Sequence, residues 1–215
     1  MSVSQNFETF KLIMNEGPVI CFSSQSGSGK GTQVALFQEA YKEIMGKSVF
    51  CLETGELFRK NIPTFSSFFR NEMKITQEAG KLQSHEYACH LWRDKLFREY
   101  EGGPIVIDGS PRSIIEAAYM QKFFIDFLKR KMFIFNFPIS DQEATRRIQE
   151  RNNLLQVPRT DTDTPEKIKE KLGYFDLKVY PALEWMSQQE NSTLININAM
   201  ASKIDIHKEV IMSFR

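Results

Sequence analysis

Five short apolar runs, each typical of a buried β-strand, recur along the chain and are separated by longer amphipathic stretches. In the longer stretches apolar side chains repeat every three or four residues, a spacing that predicts helices. Strands that alternate with helices form a parallel sheet covered on both faces. The pattern therefore predicts one α/β domain whose strands are residues 19–22, 48–52, 105–107, 132–137 and 193–198.

The clearest helix boundaries flank a stretch without periodicity, residues 152–163. Ser140 and Glu143 have the spacing of a capping box, which predicts a helix that begins just after Ser140. Thr164 followed by Pro165 predicts a second helix start, because threonine caps helices well and proline fits the first turn. Residues 152–163 are therefore predicted to form a loop between two capped helices.

The composition is typical of one globular domain. The chain has 215 residues, of which 41% are hydrophobic and 26% charged, and these proportions are ordinary. The 28 Lys and Arg residues nearly balance the 27 Asp and Glu residues, which leaves a net charge of +1. Surfaces that bind nucleic acid or membranes are mostly of one sign, so neither partner is expected. No apolar run approaches the ~20 residues of a membrane span, and the first residues lack the pattern of a secretory signal.

Three cysteines, Cys21, Cys51 and Cys89, are scattered along the chain. An odd number of scattered thiols favours a reducing compartment, so we expect a cytoplasmic protein. Cys89 also lies close to His85 and His90 on a predicted helix. These three side chains either ligate a metal or belong to a helix surface with one buried thiol, and the missing fourth ligand favours the second interpretation.

The first predicted strand leads into a loop rich in serine and glycine and then into a predicted helix. Strand, glycine-rich turn, Lys-Gly-Thr and helix occur in this order in phosphate-binding loops. Backbone N–H groups and the helix N-terminus bind an anion there, and Lys30 adds a positive charge. A flexible loop is the alternative, which the flanking strand and helix disfavour. The predicted phosphate-binding residues are Gly27, Ser28, Gly29, Lys30, Gly31 and Thr32.

Polar residues also follow the second and third predicted strands, where open α/β sheets place their ligands. Asp108 comes directly after the third strand, which suits a carboxylate that holds Mg²⁺ or its water shell beside a phosphate loop. Arg59 and Arg112 lie just past strand ends, so they are candidates for bidentate phosphate clamps. A turn aspartate and two surface arginines are the alternatives.

A second group of cations surrounds the predicted loop between the two capped helices. Arg147 and Arg151 are four residues apart and hence share one helix face. Arg159 and Asp161 lie in the loop, and Lys171 lies on the helix that follows. This cationic face either is merely solvated or belongs to a lid that closes over phosphates, excluding water and supplying positive charge.

Five motifs occur in the order and approximate spacing of one known family. They are GSGKGTQ at 27–33, ETGELFR at 53–59, DGSPR at 108–112, RIQER at 147–151 and RTD at 159–161. Together they make the chain resemble a nucleoside monophosphate (NMP) kinase of the adenylate kinase family, short-lid type, from about residue 19 to residue 198. No single motif is decisive, whereas five in order are specific.

The resemblance implies a P-loop kinase fold, an α/β domain whose five-stranded parallel sheet carries helices on both faces. Within a single domain, 1–215, it implies a core, an NMP-binding lobe and a lid. It also implies a monomer, and a lid without zinc because this one contains no cysteine. The core would comprise residues 17–53, 85–151 and 164–215, the NMP-binding lobe residues 54–84, and the lid residues 152–163.

The implied activity is the reversible transfer of the ATP γ-phosphoryl group to a nucleoside monophosphate, with Mg²⁺ ordered by Asp108. Such chemistry rests on positioning and charge, so no general base is required. By position in the motifs, ATP would be held by Gly27, Ser28, Gly29, Lys30, Gly31, Thr32 and Arg147. The acceptor would be held by Thr54, Arg59, Gly109, Arg112 and Glu116. The catalytic residues would be Lys30, Arg112, Arg147, Arg151, Arg159, Asp161 and Lys171.

Several residues depart from the family pattern. Ser24 stands where glycine is usual, and a side chain there is expected to crowd the phosphate loop or to require a different turn. Lys171 replaces an arginine, which gives a point charge in place of a bidentate fork. Ser110 replaces an aromatic residue. Glu116 replaces a glutamine that reads adenine in the family.

Glu116 and Thr54 give conflicting indications of the acceptor base. A carboxylate offers only acceptors, which suits the N1–H and N2–H₂ donors of guanine better than the bare N1 of adenine. Thr54, conversely, is typical of AMP-accepting members. AMP is the first expectation and GMP the second. Alternatively, Glu116 faces solvent in a first helical turn, where acidic residues are favoured.

Three other functions are less consistent with the sequence than an NMP kinase. Ser24 and Lys171 favour a catalytically weak relative that uses nucleotide binding as a switch, whereas the full set of cations counts against it. Residues 54–59 fit a nucleotide acceptor better than another small acceptor such as shikimate or gluconate, which disfavours a kinase for such a molecule. A nucleic-acid-binding ATPase would need a basic field and an aromatic stacking platform, which the sequence does not provide.

Overall fold

The apolar runs form one five-stranded sheet in which every neighbouring pair of strands is parallel. The computed structural model describes residues 3–78, 83–154 and 163–214. The strands lie in the order β2-β3-β1-β4-β5, so the first strand is central. The predicted α/β fold with a parallel sheet is therefore confirmed. The strands are β1 Val19–Phe22, β2 Phe50–Glu53, β3 Ile105–Asp108, β4 Met132–Asn136 and β5 Ser192–Asn196.

Helices connect the strands and cover both faces of the sheet. Short 3₁₀ or π segments follow three of them, at Ile62–Thr64 after α3, Gln121–Phe127 after α6 and Phe175–Val179 after α8. The α-helices in the described ranges are α1 Val3–Asn15, α2 Lys30–Met45, α3 Thr54–Asn61, α4 Ser67–Glu78, α5 His85–Glu99, α6 Ile114–Met120, α7 Asp141–Leu154, α8 Pro165–Tyr174, α9 Tyr180–Ser187 and α10 Lys203–Met212.

The hydrophobic core lies on both sides of the sheet. Successive side chains of a strand point to opposite faces, and every residue of β1 and β4 is buried. Cys21 of β1 packs in one cluster with Trp92 of α5, whereas Phe22 packs in the other with Phe37 of α2, its ring centroid 5.7 Å away. Burial on both faces explains why these strands are continuous apolar runs. Because all the strands are parallel, their polar carboxyl ends lie together at one end of the sheet.

Both predicted helix starts that flank residues 152–163 are confirmed, but one helix end is wrong. Ser140 accepts a hydrogen bond from the Glu143 N–H at 3.2 Å, and Thr164 caps α8 through the Lys167 N–H. Helix α7 continues to Leu154, past the predicted loop start at residue 152. Extending an existing helix costs far less than starting one, so polar residues without periodicity prolong it. Residues 155–162 lie outside the described ranges.

Two of the three cysteines are buried, and all three are free thiols. Cys21 and Cys89 are buried, and burial raises the pKa of Cys89 to about 12. Among the described residues, no group of three or more His, Cys, Asp or Glu side chains is placed to hold a metal ion. His85, Cys89 and His90 therefore do not form such a group. In the same ranges, every helix is too short or too polar to cross a membrane.

Candidate active site

Two glycines shape the loop between β1 and α2. Gly27 and Gly29 have φ angles of 85° and 89°, in the left-handed region that glycine adopts without steric cost. A Cβ atom on Gly27 would also lie 2.5 Å from the carbonyl oxygen of Ala144. The N-cap of α2 is Gly29, which has no side chain to bond the first turn, so the positive end of the helix is available to an anion.

Ser24 turns its side chain away from this loop. Its hydroxyl donates to the Phe137 carbonyl at 3.0 Å and accepts from the Phe137 N–H at 3.2 Å. The neighbouring Gln25 donates from Nε2 to the Ile139 carbonyl at 2.9 Å. Ser24, which departs from the family pattern, therefore links the loop to the connection between β4 and α7. Because its hydroxyl bonds the Phe137 backbone, the side chain does not crowd the phosphate loop as was expected.

Lys30 and Asp108 meet at the centre of the strand ends. The Lys30 Nζ lies 2.6 Å from Asp108 Oδ1, and the two side chains are only 21% and 14% exposed. Strands β1 and β3 are neighbours in which Phe22 is in register with Asp108. The sheet therefore brings the end of β3 directly beside the glycine-rich loop. Lys30, which was predicted to bind phosphate, and Asp108, which was predicted to hold Mg²⁺, are thus in direct contact.

Arg147 links α7 to the glycine-rich loop. It donates from Nη1 to the Ser28 carbonyl at 3.5 Å and from Nη2 to the Ala199 carbonyl at 3.0 Å. Its Nε donates to Glu143 at 2.6 Å. Hydrogen bonds from Arg146 and Arg147 lower the pKa of Glu143 to about 2. The guanidinium is therefore held between the loop and the turn that follows β5.

A single carboxylate holds two of the predicted cations. Asp163 accepts from Arg151 Nη2 at 2.6 Å and from Lys171 Nζ at 2.7 Å, and its side chain is only 2% exposed. Burial alone would raise the pKa of Asp163, but the hydrogen bond and charge of Lys171 and those of Arg151 outweigh it, so this pKa lies below its usual value. Asp163 thereby joins α7 to α8.

Replacing Asp163 with asparagine is expected to lower the free energy of unfolding by about 1–3 kcal/mol at neutral pH, because hydrogen bonds to two charged groups are weakened. The lowered pKa means that the wild-type advantage is complete above the usual carboxyl pKa near 3.8 and fades as the pH falls below it. Urea unfolding at several pH values between 3 and 7 measures both effects. The control is Asp94→Asn, which breaks an exposed pair with Arg98; equal losses in the two variants would contradict the prediction.

The loop after β3 is held by a buried carboxylate. Glu116 is 1% exposed, and its oxygens accept from the Ser110 hydroxyl at 2.6 Å and from the Arg112 backbone N–H at 2.8 Å. The Ser110 hydroxyl lies 2.9 Å from that of Thr54, and Arg112 Nε donates to the Gly109 carbonyl at 2.7 Å. Burial raises the pKa of Glu116, although the bonds from Ser110 and Arg112 oppose this. The alternative in which Glu116 faces solvent is therefore wrong.

One other described site residue stands apart from these groups. Arg59 pairs with Glu53 at 2.9 Å, and its side chain is 63% exposed, so the clamp that it was predicted to form is at the surface. Arg159 and Asp161 lie outside the described residues. Their predicted roles stay predictions.

Sequence reasoning missed several partners of the predicted residues. Glu143 could have been found, because it lies four residues before Arg147 on the same helix face. Asp163 was only the last residue of the predicted loop at 152–163, with no sign that it would pair with two cations. The Ala199 carbonyl left no signal, since any residue has one. The contact between Ser24 and Phe137 likewise needs the folded chain, because the two are 113 positions apart.

Comparison of the sequence with known proteins points to one family. Residues 22–191 match the family model described as adenylate kinase. The chain is 27% identical over 187 residues to an adenylate kinase from Corynebacterium aurimucosum, covering 87% of this chain and 93% of the relative. It is 26% identical to an adenylate kinase from Borrelia garinii, over 89% of this chain and 96% of the relative. It is also 26% identical to adenylate kinase 2 from Schistosoma mansoni, over 83% and 82%.

The family match spans both the glycine-rich loop and the strand ends described above, together with the helices that carry Arg147, Arg151 and Lys171. Its extent is far more than half of the chain. The motifs that suggested a resemblance therefore belong to a match over a continuous domain. The chain belongs to the adenylate kinase family of nucleoside monophosphate kinases and is a phosphotransferase.

Proposed function

We propose that this protein transfers the γ-phosphoryl group of ATP reversibly to a nucleoside monophosphate, with Mg²⁺ and with AMP as the first acceptor. One observation supports this most: Lys30 of the glycine-rich loop lies 2.6 Å from Asp108 at the end of the neighbouring strand. Arg147 contacts the same loop. Fixed charges gathered beside an anion-binding loop suit phosphoryl transfer, which depends on positioning and electrostatic stabilisation.

On the donor side, residues 27–32 and Arg147 would hold ATP. Loop N–H groups would bind the phosphates, and Lys30 would exchange its bond with Asp108 for a bond to the transferring group. The exchange would need only a small movement of the Lys30 side chain, since Lys30 and Asp108 already lie beside the loop. Arg147 lies against the turn at Ala199, so that turn is the expected wall of the donor-base site.

Asp163 would keep two cations that flank the lid ready for the same reaction. Arg151 and Lys171 would neutralise the equatorial oxygens of the transferring phosphoryl group, together with Arg159, with Asp161 beside them. The shared carboxylate restrains both cations before a nucleotide binds, which reduces the entropy lost on reaching the transition state. Lys171, which replaces an arginine, is therefore held in place by its partner.

Mg²⁺ would be held by phosphate oxygens and by the Asp108 carboxylate, directly or through water. This donor set fits, because Mg²⁺ prefers hard oxygen ligands and usually binds through one or two carboxylates plus substrate phosphates. Asp108 supplies such a carboxylate beside the loop. When bound, the ion would neutralise phosphate charge and help to align the reacting groups.

On the acceptor side, Arg112 and Arg59 would clamp the α-phosphate. Arg112 is held at its backbone by Glu116 and at Nε by the Gly109 carbonyl, which leaves its terminal N–H groups for a phosphate. Arg59 would leave its exposed bond with Glu53 when the acceptor binds. Thr54 is assigned to the acceptor site by its position in the motif; its side chain is buried and its hydroxyl lies 2.9 Å from that of Ser110, so it would support the site from within the protein.

AMP is proposed as the first acceptor, and GMP is the second candidate. The printed names of the relatives support AMP, as does Thr54. The presence of a carboxylate at Glu116, which offers acceptors only, is the sequence argument for GMP, and its burial with both oxygens bonded to Ser110 and the Arg112 N–H counts against direct contact with a base. In the same proposal the protein is a cytoplasmic monomer with a core, an NMP-binding lobe at 54–84 and a lid at 152–163.

The test is a product assay with purified protein, Mg·ATP and each of AMP, GMP, CMP, UMP and dTMP separately. ADP and the matching diphosphate are expected to form fastest with AMP. Faster product formation with GMP would show that GMP, and not AMP, is the preferred acceptor. Binding of ATP without turnover of any of the five would overturn the kinase proposal and favour a nucleotide-dependent switch.

A further inference from the structure

Two neighbouring arginines of α7 share one carboxylate. Glu143 lies three residues before Arg146 and four before Arg147, so the three side chains are neighbours on one helix face. Arg146 donates from Nη2 to Glu143 Oε1 at 2.7 Å and from Nε to Oε2 at 2.8 Å. Arg147 donates from Nε to the same Oε1 at 2.6 Å. Arg146 also pairs with Glu150, one turn further along the helix.

Arg146 fixes the orientation of this carboxylate. Its two bonds form a fork on the two oxygens of Glu143, and such a fork sets the plane of a carboxylate as well as its position. The Glu143 side chain is 16% exposed, whereas that of Arg146 is 54% exposed. Glu143 is ionised at neutral pH, because its bonds to Arg146 and Arg147 lower its pKa to about 2. Oε1 is therefore a charged acceptor with a fixed position, to which Arg147 is bound.

Arg147 differs from Arg146 in what it contacts outside α7. Its Nη1 lies 3.5 Å from the Ser28 carbonyl of the glycine-rich loop, and its Nη2 lies 3.0 Å from the Ala199 carbonyl in the turn after β5. With Nε on Glu143, all three guanidinium nitrogens are bonded. A guanidinium is planar, so bonds from its three nitrogens fix its orientation. Of these three partners only Glu143 is charged, and hydrogen bonds between charged groups are the stronger ones.

We propose that Glu143 is a positioning residue for the donor nucleotide: it holds Arg147 beside the glycine-rich loop and does not touch ATP itself. This inference rests on the proposed function, in which Arg147 holds ATP. An arginine that is free to change rotamer loses that freedom when it binds a ligand, and the loss weakens binding. In this protein the restraint exists before ATP binds, because Glu143 holds Nε while Nη1 and Nη2 contact the loop and the turn.

The sign of the effect separates positioning from simple charge repulsion. ATP is an anion, so a carboxylate that acted only through its own charge would repel it, and Glu143→Ala would then tighten ATP binding. Positioning predicts the opposite. We expect the dissociation constant for ATP to rise roughly tenfold in Glu143→Ala, the scale of one lost hydrogen bond to a charged group. The dissociation constant for AMP should change by less than about twofold, because Arg112 and Arg59, the proposed acceptor clamps, follow other strands.

Glu150→Ala is the matched control. It removes the same charge from the same helix and also takes a partner from Arg146, but it leaves the bond between Glu143 and Arg147 in place. Since Glu150 is 56% exposed, its loss should change the dissociation constant for ATP by less than about twofold. Equal weakening in Glu143→Ala and Glu150→Ala would show that the charge of α7 matters and not the contact with Arg147, which would overturn the proposal.

A double-mutant cycle with Arg147→Ala tests whether Glu143 acts through Arg147. Without the guanidinium there is nothing for Glu143 to position, so Glu143→Ala should change the dissociation constant for ATP by less than about twofold in that background. An equal rise in both backgrounds would show that Glu143 acts by another route. That result would overturn the proposal, as would unchanged or tighter ATP binding in Glu143→Ala alone.

Isothermal titration calorimetry with Mg·ATP and no acceptor measures the constants for ATP without turnover. If the wild type binds ATP but transfers no phosphoryl group, the proposed function fails, while the role of Glu143 is still decided by the constants. If the wild type does not bind ATP, both proposals fail. Thermal unfolding confirms that each variant is folded. If Glu143→Ala does not fold, Glu143→Gln takes its place; it keeps one acceptor oxygen but not the charge, so a rise of roughly threefold is expected, and no rise would overturn the proposal.

Discussion

Phosphoryl transfer is expected to fall roughly a thousandfold when Lys30 is replaced by methionine, the scale seen when a preorganised charge is removed from a transferring phosphoryl group. Methionine keeps the length and apolar stem of the side chain but removes the charge that now lies 2.6 Å from Asp108. The interaction lost is strongest in the transition state, so the loss should be in kcat more than in KM for ATP. Initial rates over a range of ATP concentrations measure both constants.

The matched control is Lys131→Met. Lys131 pairs with Glu16 at 2.9 Å and is 59% exposed, and its carbonyl bonds the N–H of Val19 at the beginning of β1. Lys131 therefore lies beside the beginning of β1, whereas the glycine-rich loop follows the end of β1. Its replacement should leave kcat unchanged. A Lys30 variant with a near-wild-type rate would remove Lys30 from the proposed catalytic set.

Arg112→Ala is expected to lower kcat/KM for the acceptor by roughly a hundredfold to a thousandfold, since a charge-assisted phosphate clamp is lost. The KM for ATP should change little, because Arg112 lies at the end of β3 beside Gly109 and is proposed to contact only the acceptor. Only its side chain is removed, so the backbone N–H that bonds Glu116 remains. Initial rates with the acceptor varied at saturating ATP, and then the reverse, separate the two constants.

Two further variants define the role of Arg112. Arg112→Lys keeps the charge but loses the planar fork, so it should recover only part of the activity. Arg98→Ala is the control for loss of a positive charge, since Arg98 is 73% exposed and pairs with Asp94 on the same helix. Equal increases in KM for ATP and for the acceptor in Arg112→Ala would contradict an acceptor-specific clamp.

Local patterns were sufficient to predict most of the architecture. Apolar runs located the three central strands, β1, β3 and β4, because strands buried on both faces cannot alternate with polar residues; the outer strands β2 and β5 were also located, although they are only partly buried. The capping residues Ser140 and Thr164 located two helix starts, since a cap is defined by neighbouring positions alone. The glycine-rich loop and Asp108 were recognised from short motifs, and the sheet places Asp108 beside Lys30. Helix ends were harder, as α7 shows by continuing to Leu154.

The arrangement around those motifs could not be predicted from local patterns. Glu116 was expected to read a base or to face solvent, yet it is buried between Ser110 and the Arg112 backbone. A carboxylate in a first helical turn carries no signal of the direction in which it points. Asp163 likewise depends on two helices that meet only in the folded chain. Such contacts are set by tertiary packing, which overrides the preferences of single residues.

The hydrogen bonds of Ser24 and Gln25 have a mechanical consequence. They anchor the glycine-rich loop to residues 137–139, directly before the helix that carries Arg147 and Arg151. The glycine-rich loop and this helix are therefore attached to the same short segment, so a tilt of the helix is expected to move the loop as well. Substitutions in that connection should alter ATP affinity and the reach of the two arginines together, so neither property can be tuned alone from this part of the chain.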